Sequence, residues 1–532
     1  MKLIFTLVAL CFSVLLNAQK AGTLDKSFGD TGVVMGSTYS GECRNLLIQT
    51  DGKIISTGTG GYNNIGGFLV VRYNKDGSTD LSFGDSGRVA TTLSQLGSNG
   101  GYSALQPDGK IVVTGIVVLS GVLGQSVALI RYNTDGSLDN SFGNNGTIIN
   151  DLGSEIEDPS GILIQPDGKI VITGSLHNYD EGSGPNTIYI LRYNTDGSLD
   201  AGFAKNGVYK EASLDPLETA GAALQPDGKI LLGGDYEFSR EHAFFIKRYM
   251  PNGTPDNTFS GDGEATYGFG DAVSHISSIY LQDDGKIVAA GSSYSSSERN
   301  NATLVRFNAD GSADNSFGTL GLVTTEIAGY SSEIKDITEQ TNHKILIAGN
   351  KFDSSTKDSA KFTLIRYLEN GAIDSSFGTS GITITDLGFN EQASSIALQN
   401  DNKIVLGGYL FKLAPPYYFV TLARYNNDDK TKKQIIVQKI KRYIQTHNNA
   451  QATTLNTISI YPNPAQNILH VEGLSANAKL TVVGFAGNIA ISQQLSANSQ
   501  YYNLNIASLH AGNYLLKIET NGEVVTKQFV KE

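Results

Sequence analysis

The chain runs to 532 residues with 60 glycines and only 17% charged residues. That is too long for one ordinary domain, and the composition is one of many short elements joined by turns. A 40% hydrophobic fraction is enough to bury a core and excludes global disorder, while a formal net charge of −12 argues against a nucleic-acid partner.

Residues 1–18 read as a secretory signal peptide, with Lys2, an apolar run from Leu3 to Leu16, and the small Ala18 before Gln19. The run is too short for a spanning helix, so no membrane span is expected in the mature chain. Cys11 follows Leu10 and the run continues past it, which does not fit a lipoprotein anchor. Once the leader is removed Cys43 is the remaining cysteine, so no intrachain disulfide can form and packing must supply the stability. No His or Asn signature accompanies Cys43, which reads as a small, partly buried thiol rather than a nucleophile.

From Thr23 onward the chain repeats. A strand ending in Arg recurs at Arg72, Arg131, Arg192, Arg248, Arg306, Arg366 and Arg424, and each of the first six is followed eleven positions later by Phe83, Phe142, Phe203, Phe259, Phe317 and Phe377. The best copy reads RYNTDGSLDNSFG, Arg131 to Gly143. Between these lies a second motif, ALQPDGKIVVTG at Ala104 to Gly115, with copies starting at Gln49, Gln165, Gln225 and Gln282 and looser ones at Gln340 and Gln399. Pro-Asp-Gly between two β-rich runs is a hairpin turn: Pro presets φ, Asp caps, and Gly takes the left-handed position. For the second copy the spacing predicts strands near Arg88–Leu93, Tyr102–Gln106, Lys110–Ile116 and Val127–Tyr132, taken together as one blade. Four antiparallel strands seven times over predict an all-β fold, a seven-bladed β-propeller, with a stacked solenoid as the competitor.

The ends of the array favour a closed ring. No Phe motif follows Arg424, since position 435 is Ile435, whereas Thr23 to Gly29 carries LDKSFG with no strand before it. The N-terminal segment is therefore expected to complete the seventh blade. Asn133, Asp135, Gly136 and Asp139 have the spacing of an acidic calcium loop, but the first ligand position would be the cationic Arg131. The expected alternative is a turn at Asp135-Gly136, an Arg131–Asp ion pair that stays exposed, and Phe142 buried between blades. No metal or other cofactor is expected.

These LD-x-SFG and QPDGKI motifs resemble the delta-60 repeat proteins of bacteria over about Thr23 to Asn426. The resemblance implies a propeller-like repeat and little about activity. Departures at Gly202-Phe203-Ala204, Thr258-Phe259-Ser260, Asn342-His343 and Asp401-Asn402 are expected to weaken individual turns more than the fold.

Connections of nearly constant length, the Gln-to-Lys turns and the Arg-to-Phe loops, fall on one face of such a ring. The opposite connections vary, and variable loops on a rigid scaffold are where function usually resides. On that face the candidate binding residues are Tyr236, Phe238, Tyr294, Tyr409, Phe411, Tyr417 and Tyr418, able to stack on a sugar or pack on a protein. His177, His242, His275 and His343 lie in different repeats without metal-ligand spacing, no nucleophile motif is present, and Trp is absent, so no catalytic residue is assigned. Three readings follow: a binding or adhesion module, an extracellular enzyme acting on a polysaccharide or other polymer, and a structural surface spacer. A flat, aromatic-rich face would favour the first, an axial pocket lined by carboxylates or His the second, and a featureless polar face the third.

Residues 428–456 read as a basic and polar linker, Lys430 to Arg442 followed by a polar stretch, whether an exposed tether or a short amphipathic helix. Residues 457–532 alternate as short strands at Ile458–Tyr461, Ile468–Val471, Leu480–Phe485 and Tyr514–Glu519 and predict a small Ig-like β-sandwich. Tyr461, Pro462, Asn463 and Pro464, the Gly487 turn, Gly512 with Tyr514, and the basic end at Lys531 resemble the type IX secretion C-terminal sorting domain. The resemblance implies handling by the type IX secretion machinery after Sec export, and release or attachment at the outer cell surface. The propeller, 23–427, would then be the cargo, with an unknown protein or glycan as its ligand.

Overall fold

In the computed structural model of the chain the described residues are 20–36, 41–60, 66–119, 124–153, 156–177, 186–213, 215–237, 242–270, 272–294, 299–353, 360–413, 416–428, 458–472, 474, 478–484, 489–495, 501–509, 512–520 and 523–531. The signal-peptide and linker readings lie outside them, as do Phe238 and Gly487. The chain divides into two compact units, Met1–Lys432 and Lys433–Glu532.

Among the described residues the first unit has seven four-stranded antiparallel sheets. Blade 1 comprises Gly41–Ile48, Ile54–Gly60, Gly67–Tyr73 and Arg88–Thr91, and blade 2 comprises Ser98–Leu105, Ile111–Val118, Gln125–Tyr132 and Thr147–Asn150. Blades 3 to 6 span Ile156–Ala212, Leu217–Gly268, Val273–Thr325 and Ser331–Thr385 in the same way. The first strands of successive blades adjoin in cyclic order, blade 7 against blade 1, and so enclose an axis.

The phase of the blades differs from the sequence reading. The strand after each Arg-to-Phe loop is the outermost strand of the same blade, not the innermost of the next: Arg88–Thr91 pairs with Gly67–Tyr73, with Phe68 opposite Thr91 and Val71 opposite Arg88. A repeat fixes which segments are strands, but it does not say which two neighbours share hydrogen bonds. The Arg-to-Phe loop is thus a connection within a blade, although its side chains do seal the joint to the next one. Phe83 is fully buried in a core shared by Phe68 and Val70 of blade 1 with Ile111, Val113 and Ile130 of blade 2.

Each loop is a lock of the same parts. Arg131 Nε donates to Asp139 Oδ2 at 2.7 Å, its guanidinium lies 4.3 Å from the Phe142 ring centre, and its Nη1 donates to the Thr195 carbonyl of the next blade. Lys110, from the Pro-Asp-Gly turn, reaches the same carboxylate at 3.1 Å. The Arg131–Asp139 pair is buried, at 5% and 8% side-chain exposure, which corrects the expectation of an exposed pair. Side-chain oxygens that a calcium loop would need are therefore engaged by cations and by the Ser137 and Ser141 hydroxyls.

Closure is as the chain ends imply. Val33–Met35 pairs with Pro416–Tyr425 as the outer strand of blade 7, whose other strands are Asn390–Leu398 and Ile404–Leu413. Asp25 takes the Arg424 guanidinium at 2.9 Å and Phe28 lies beneath it at 4.6 Å, so the orphan motif supplies the seventh lock.

The second unit has a three-stranded sheet of Ser459–Tyr461, Ile468–Glu472 and Tyr501–Asn505, and a four-stranded sheet of Lys479–Gly484, Ile489–Gln494, Gly512–Thr520 and Glu523–Lys531. Leu469, Val471 and Leu504 from one sheet and Leu480, Val482, Leu516, Ile518 and Phe529 from the other share one buried core, which makes this module a β-sandwich.

Candidate functional site

The first strand of every blade breaks its register five residues before the turn Gln, where one or two residues bulge out: Arg44, Gly101 with Tyr102, Ser160, Ala220 with Gly221, Ser277, Lys335 and Ser394. A bulge re-aims side chains, and here all seven sit at one level of the axis. The second strands explain how the chain accommodates this. At the end of the motif ALQPDGKIVVTG each second strand carries a glycine: Gly58, Gly115, Gly174, Gly234, Gly291, Gly349 and Gly408. A Cβ on any of them would stand 1.9 to 2.3 Å from the carbonyl oxygen two residues before the bulge. The glycine lets the bulged backbone close in.

A cavity of about 600 Å³ occupies the axis, lined by first-strand residues of all seven blades. Its polar walls include Arg44, Tyr102, Asp158, Glu218, Lys335 and Gln392, with His177 and Tyr409 contributed by second strands. Most of these lie toward the strand ends that carry the variable connections. Part of the polarity is structural. Asp336 accepts from Ser278 Oγ at 3.1 Å, from Ser395 Oγ at 2.9 Å and from the Ile396 backbone N–H at 2.9 Å, and so ties blades 5, 6 and 7 together. Burial still holds its carboxyl above the usual range, against those hydrogen bonds. Asn45 plays the matching part between blades 1 and 2, accepting from Ser103 Oγ at 2.7 Å.

The remaining groups face the cavity. Arg44 pairs with Glu42 at 2.9 Å and Lys335 with Glu333 at 2.5 Å, each two residues away on its own strand. Burial raises the Asp158 carboxyl, with His177 and Arg44 opposing; His177 Nε2 is 2.9 Å from Ser175 Oγ. Burial also raises the Tyr102 hydroxyl, and Asp158 of blade 3 and Asp336 of blade 6 reinforce it. Tyr409 is pushed up to about 12, first by burial and then by Glu42.

Of the aromatic residues read from the sequence whose side chains are described, Tyr409 alone lines this cavity. It touches Tyr418, ring centres 5.5 Å apart, and Tyr418 touches Phe411 at 5.1 Å, so blade 7 does gather three of them. Tyr236 packs on Phe245 at 4.7 Å in blade 4, and Tyr294 is half-buried opposite Val273 in blade 5. Tyr417 lies on a blade 7 strand, its side chain outside the described residues. Sequence reasoning missed Arg44, Tyr102, Asp158, Glu218 and Lys335. The signal was there: polar or small residues four to seven positions before each turn Gln, inside strands expected to alternate.

In the sandwich module the residues of the sorting motif meet along one edge. Asn463 accepts from the Val530 N–H at 2.8 Å and its amide donates to the Gln528 carbonyl at 3.2 Å, while Ala465 N–H donates to the Val530 carbonyl. Tyr461–Pro462 and Asn463–Pro464 are both cis. Gly512 stands opposite Lys531, and Tyr514 stacks on Phe529.

Family profiles match both units. A profile described as a β-propeller domain of unknown function (DUF5122) matches residues 49–83, 106–142, 165–203, 225–259 and 282–317, and one described as a secretion system C-terminal sorting domain matches 459–532. The chain is a β-propeller with a type IX sorting domain. Each matched repeat begins at a turn Gln and ends at the Phe of the lock, and the two Gln-begun segments without a match are those with His343 and Asn402 in place of the turn glycine. The sorting domain marks the protein for export to the cell surface or for secretion, and among the described residues no helix is long and apolar enough to cross a membrane. No curated protein matches.

Solved structures that the chain is similar to include PorZ, a surface component of the type IX secretion system of Porphyromonas gingivalis, at 9% identity and TM-score 0.25 over 92% of this chain and 81% of that one. Others are the polysaccharide lyase Uly1, at 13% identity and TM-score 0.43 over 75% and 92%, and the β-propeller domain of the trilobed protease from Pyrococcus furiosus, at 11% and 0.40 over 74% and 95%. None of these likenesses bears on what the cavity holds.

Proposed function

We propose that this exported propeller is a binding module and that its ligand enters the axial cavity from the side of the variable connections. The observation that supports it is the ring of bulges: seven blades each break their ladder at the same place, and the broken positions line one cavity. Its volume falls within the range of small-molecule pockets, roughly 300 to 1,000 Å³. The aromatic residues of the variable face, Tyr409, Phe411 and Tyr418 foremost, would extend contact beyond the cavity mouth. A glycan array probed with the full-length mature protein and with Tyr409→Ala tests this. Hits lost or weakened in a variant that melts normally are expected. Hits that persist unchanged would move the site elsewhere, and a uniformly null array with no turnover would return the protein to the spacer reading.

The cavity also gives the enzyme reading a specific basis. Asp158 stands opposite Ser175 in the strand pair, and burial raises its carboxyl although His177 and Arg44 oppose; a raised carboxyl is what a general acid needs. Release of new chain ends from a polysaccharide by the native protein but not by Asp158→Asn would establish that role. Absence of release from a panel that the protein binds would refute it.

A further inference from the structure

The polar groups around the axis divide into two sets. Residues that directly follow the bulges are spent on the ring itself: Asn45 bonds Ser103, and Asp336 takes Ser278 and Ser395, blade tied to blade. Among the described residues the side chains of Ser277 and Ser394 and the hydroxyls of Tyr102 and Tyr409 have no hydrogen-bond partner in the chain, and all four line the cavity. The charged groups, by contrast, answer one another. Three lining carboxylates, Asp158, Glu218 and Asp336, stand against Arg44, Lys335 and His177. Arg44 and Lys335 each hold a carboxylate of their own strand, His177 and Arg44 oppose the rise of Asp158, and Glu218 is engaged as well. A charged ligand would give up its hydration here and find no unmatched partner.

A ring of similar blades offers similar walls all round, so departures from the repeat must orient what binds. Two blades carry a two-residue bulge. Blade 4 adds the small Ala220 and Gly221, whereas blade 2 adds Gly101 and Tyr102, and Tyr102 stays 38% exposed on the cavity wall. Blade 5, which carries Ser277, lies three steps round the ring from blade 2, on the opposite wall.

We infer that the ligand is an uncharged sugar, one ring of which lies on the face of Tyr102 while hydroxyls of that ring or the next meet Ser277 and Ser394. This rests on the reading that the axial cavity is the binding site. A sugar ring has an apolar face to set against an aromatic one, and hydroxyls that both donate and accept, as a serine hydroxyl does.

Calorimetric titration of the full-length mature protein with a panel of disaccharides is the test: the neutral cellobiose, maltose, laminaribiose, mannobiose and xylobiose, the acidic digalacturonate and the basic diglucosamine. At least one neutral sugar should bind more tightly than either charged one, with a dissociation constant that changes less than about twofold from ~0.02 M to ~0.5 M salt, since no ion pair is made. Tyr102→Ala, in a variant that melts normally, should weaken that binding about tenfold. Tyr102→Phe keeps the ring and should stay within about threefold, and Ser277→Ala should cost about threefold to tenfold. Tighter, salt-sensitive binding of a charged sugar overturns the neutral assignment, and binding indifferent to Tyr102→Ala overturns the stacking role; in either case weakening by Tyr409→Ala leaves the axial site standing. Lack of binding by every sugar of the panel overturns the inference, and glycan-array hits insensitive to Tyr409→Ala overturn the axial site with it.

Discussion

Arg131 has exchanged water for five partners: the Asp139 carboxylate, the Phe142 ring, the Thr195 carbonyl, the Gln106 side chain and the Ser141 hydroxyl. A buried pair tolerates the loss of one member poorly, because the other is left charged in a dry place. Arg131→Met should therefore lower stability by about 3 kcal/mol, the low end of the usual 3–5, since Lys110 still reaches Asp139. The drop in melting temperature is the measurement, and adding Asp139→Asn should recover part of it. The same locks set the response to acid. Burial alone would raise the Asp139 carboxyl, but the Ser141 hydroxyl, Lys110 and Arg131 outweigh it and hold it well below the usual carboxylate range. Asp80, Asp256 and Asp374 are held down in the same way by Ser or Thr hydroxyls and by Lys and Arg. Their stabilisation is complete above the unfolded carboxylate value near 4 and is lost as the pH falls from there toward the depressed folded values. Melting temperature should be flat from about pH 5 to 7 and fall steeply below about pH 4; a constant melting temperature down to pH 2 would contradict this.

At the scale of the element, the glycine of each second strand is the residue that makes a bulge affordable. Gly115→Ala would put a methyl group 1.9 Å from the Asn99 carbonyl, against backbone that has nowhere to go. The expected cost is about 1–3 kcal/mol, typical of overpacking, together with weakened ligand binding as Gly100 to Tyr102 shift. An unchanged melt would show that the bulge yields freely. The hairpins were legible in the residues because Pro-Asp-Gly dictates a turn by its own torsions, and Gly109 does adopt φ near +84°. His343 and Asn402 hold the same turn at φ of 62° and 66°, so those departures strain the backbone without changing its course. The pairing of the strand after Phe83 was not legible, since alternation is identical whichever neighbour a strand joins. Nor was the cavity: Arg44, Tyr102 and Lys335 look like ordinary strand residues until seven copies are aligned on the turn Gln. In the sandwich, Ile489–Gln494 and Tyr501–Asn505 passed unnoticed because each sends few apolar residues inward, Leu504 alone being buried among those described on the second, whereas Leu480 and Val482 alternate cleanly into the core.

For the whole molecule the decisive contacts join residues far apart in the chain. Phe28 is fully buried against Val405 and Leu422 of blade 7 and Ile54 and Tyr73 of blade 1. Phe28→Ala should cost about 3–5 kcal/mol, as much as removing Phe142 from an internal joint; a negligible effect on melting would mean that the ring holds without its seventh lock. Deleting 457–532 should leave the propeller folded but trapped in the periplasm, and surface display of the shortened chain would refute the role of the sandwich module. Closure through the N-terminal strand also has a consequence in time. Asp25 and Arg424 are 399 positions apart, so Asp25 cannot meet its partner until almost the entire array has been made. Folding of so non-local a contact is slow. For a chain marked for the cell surface or for secretion, that delay leaves the ring open until its last blade has arrived.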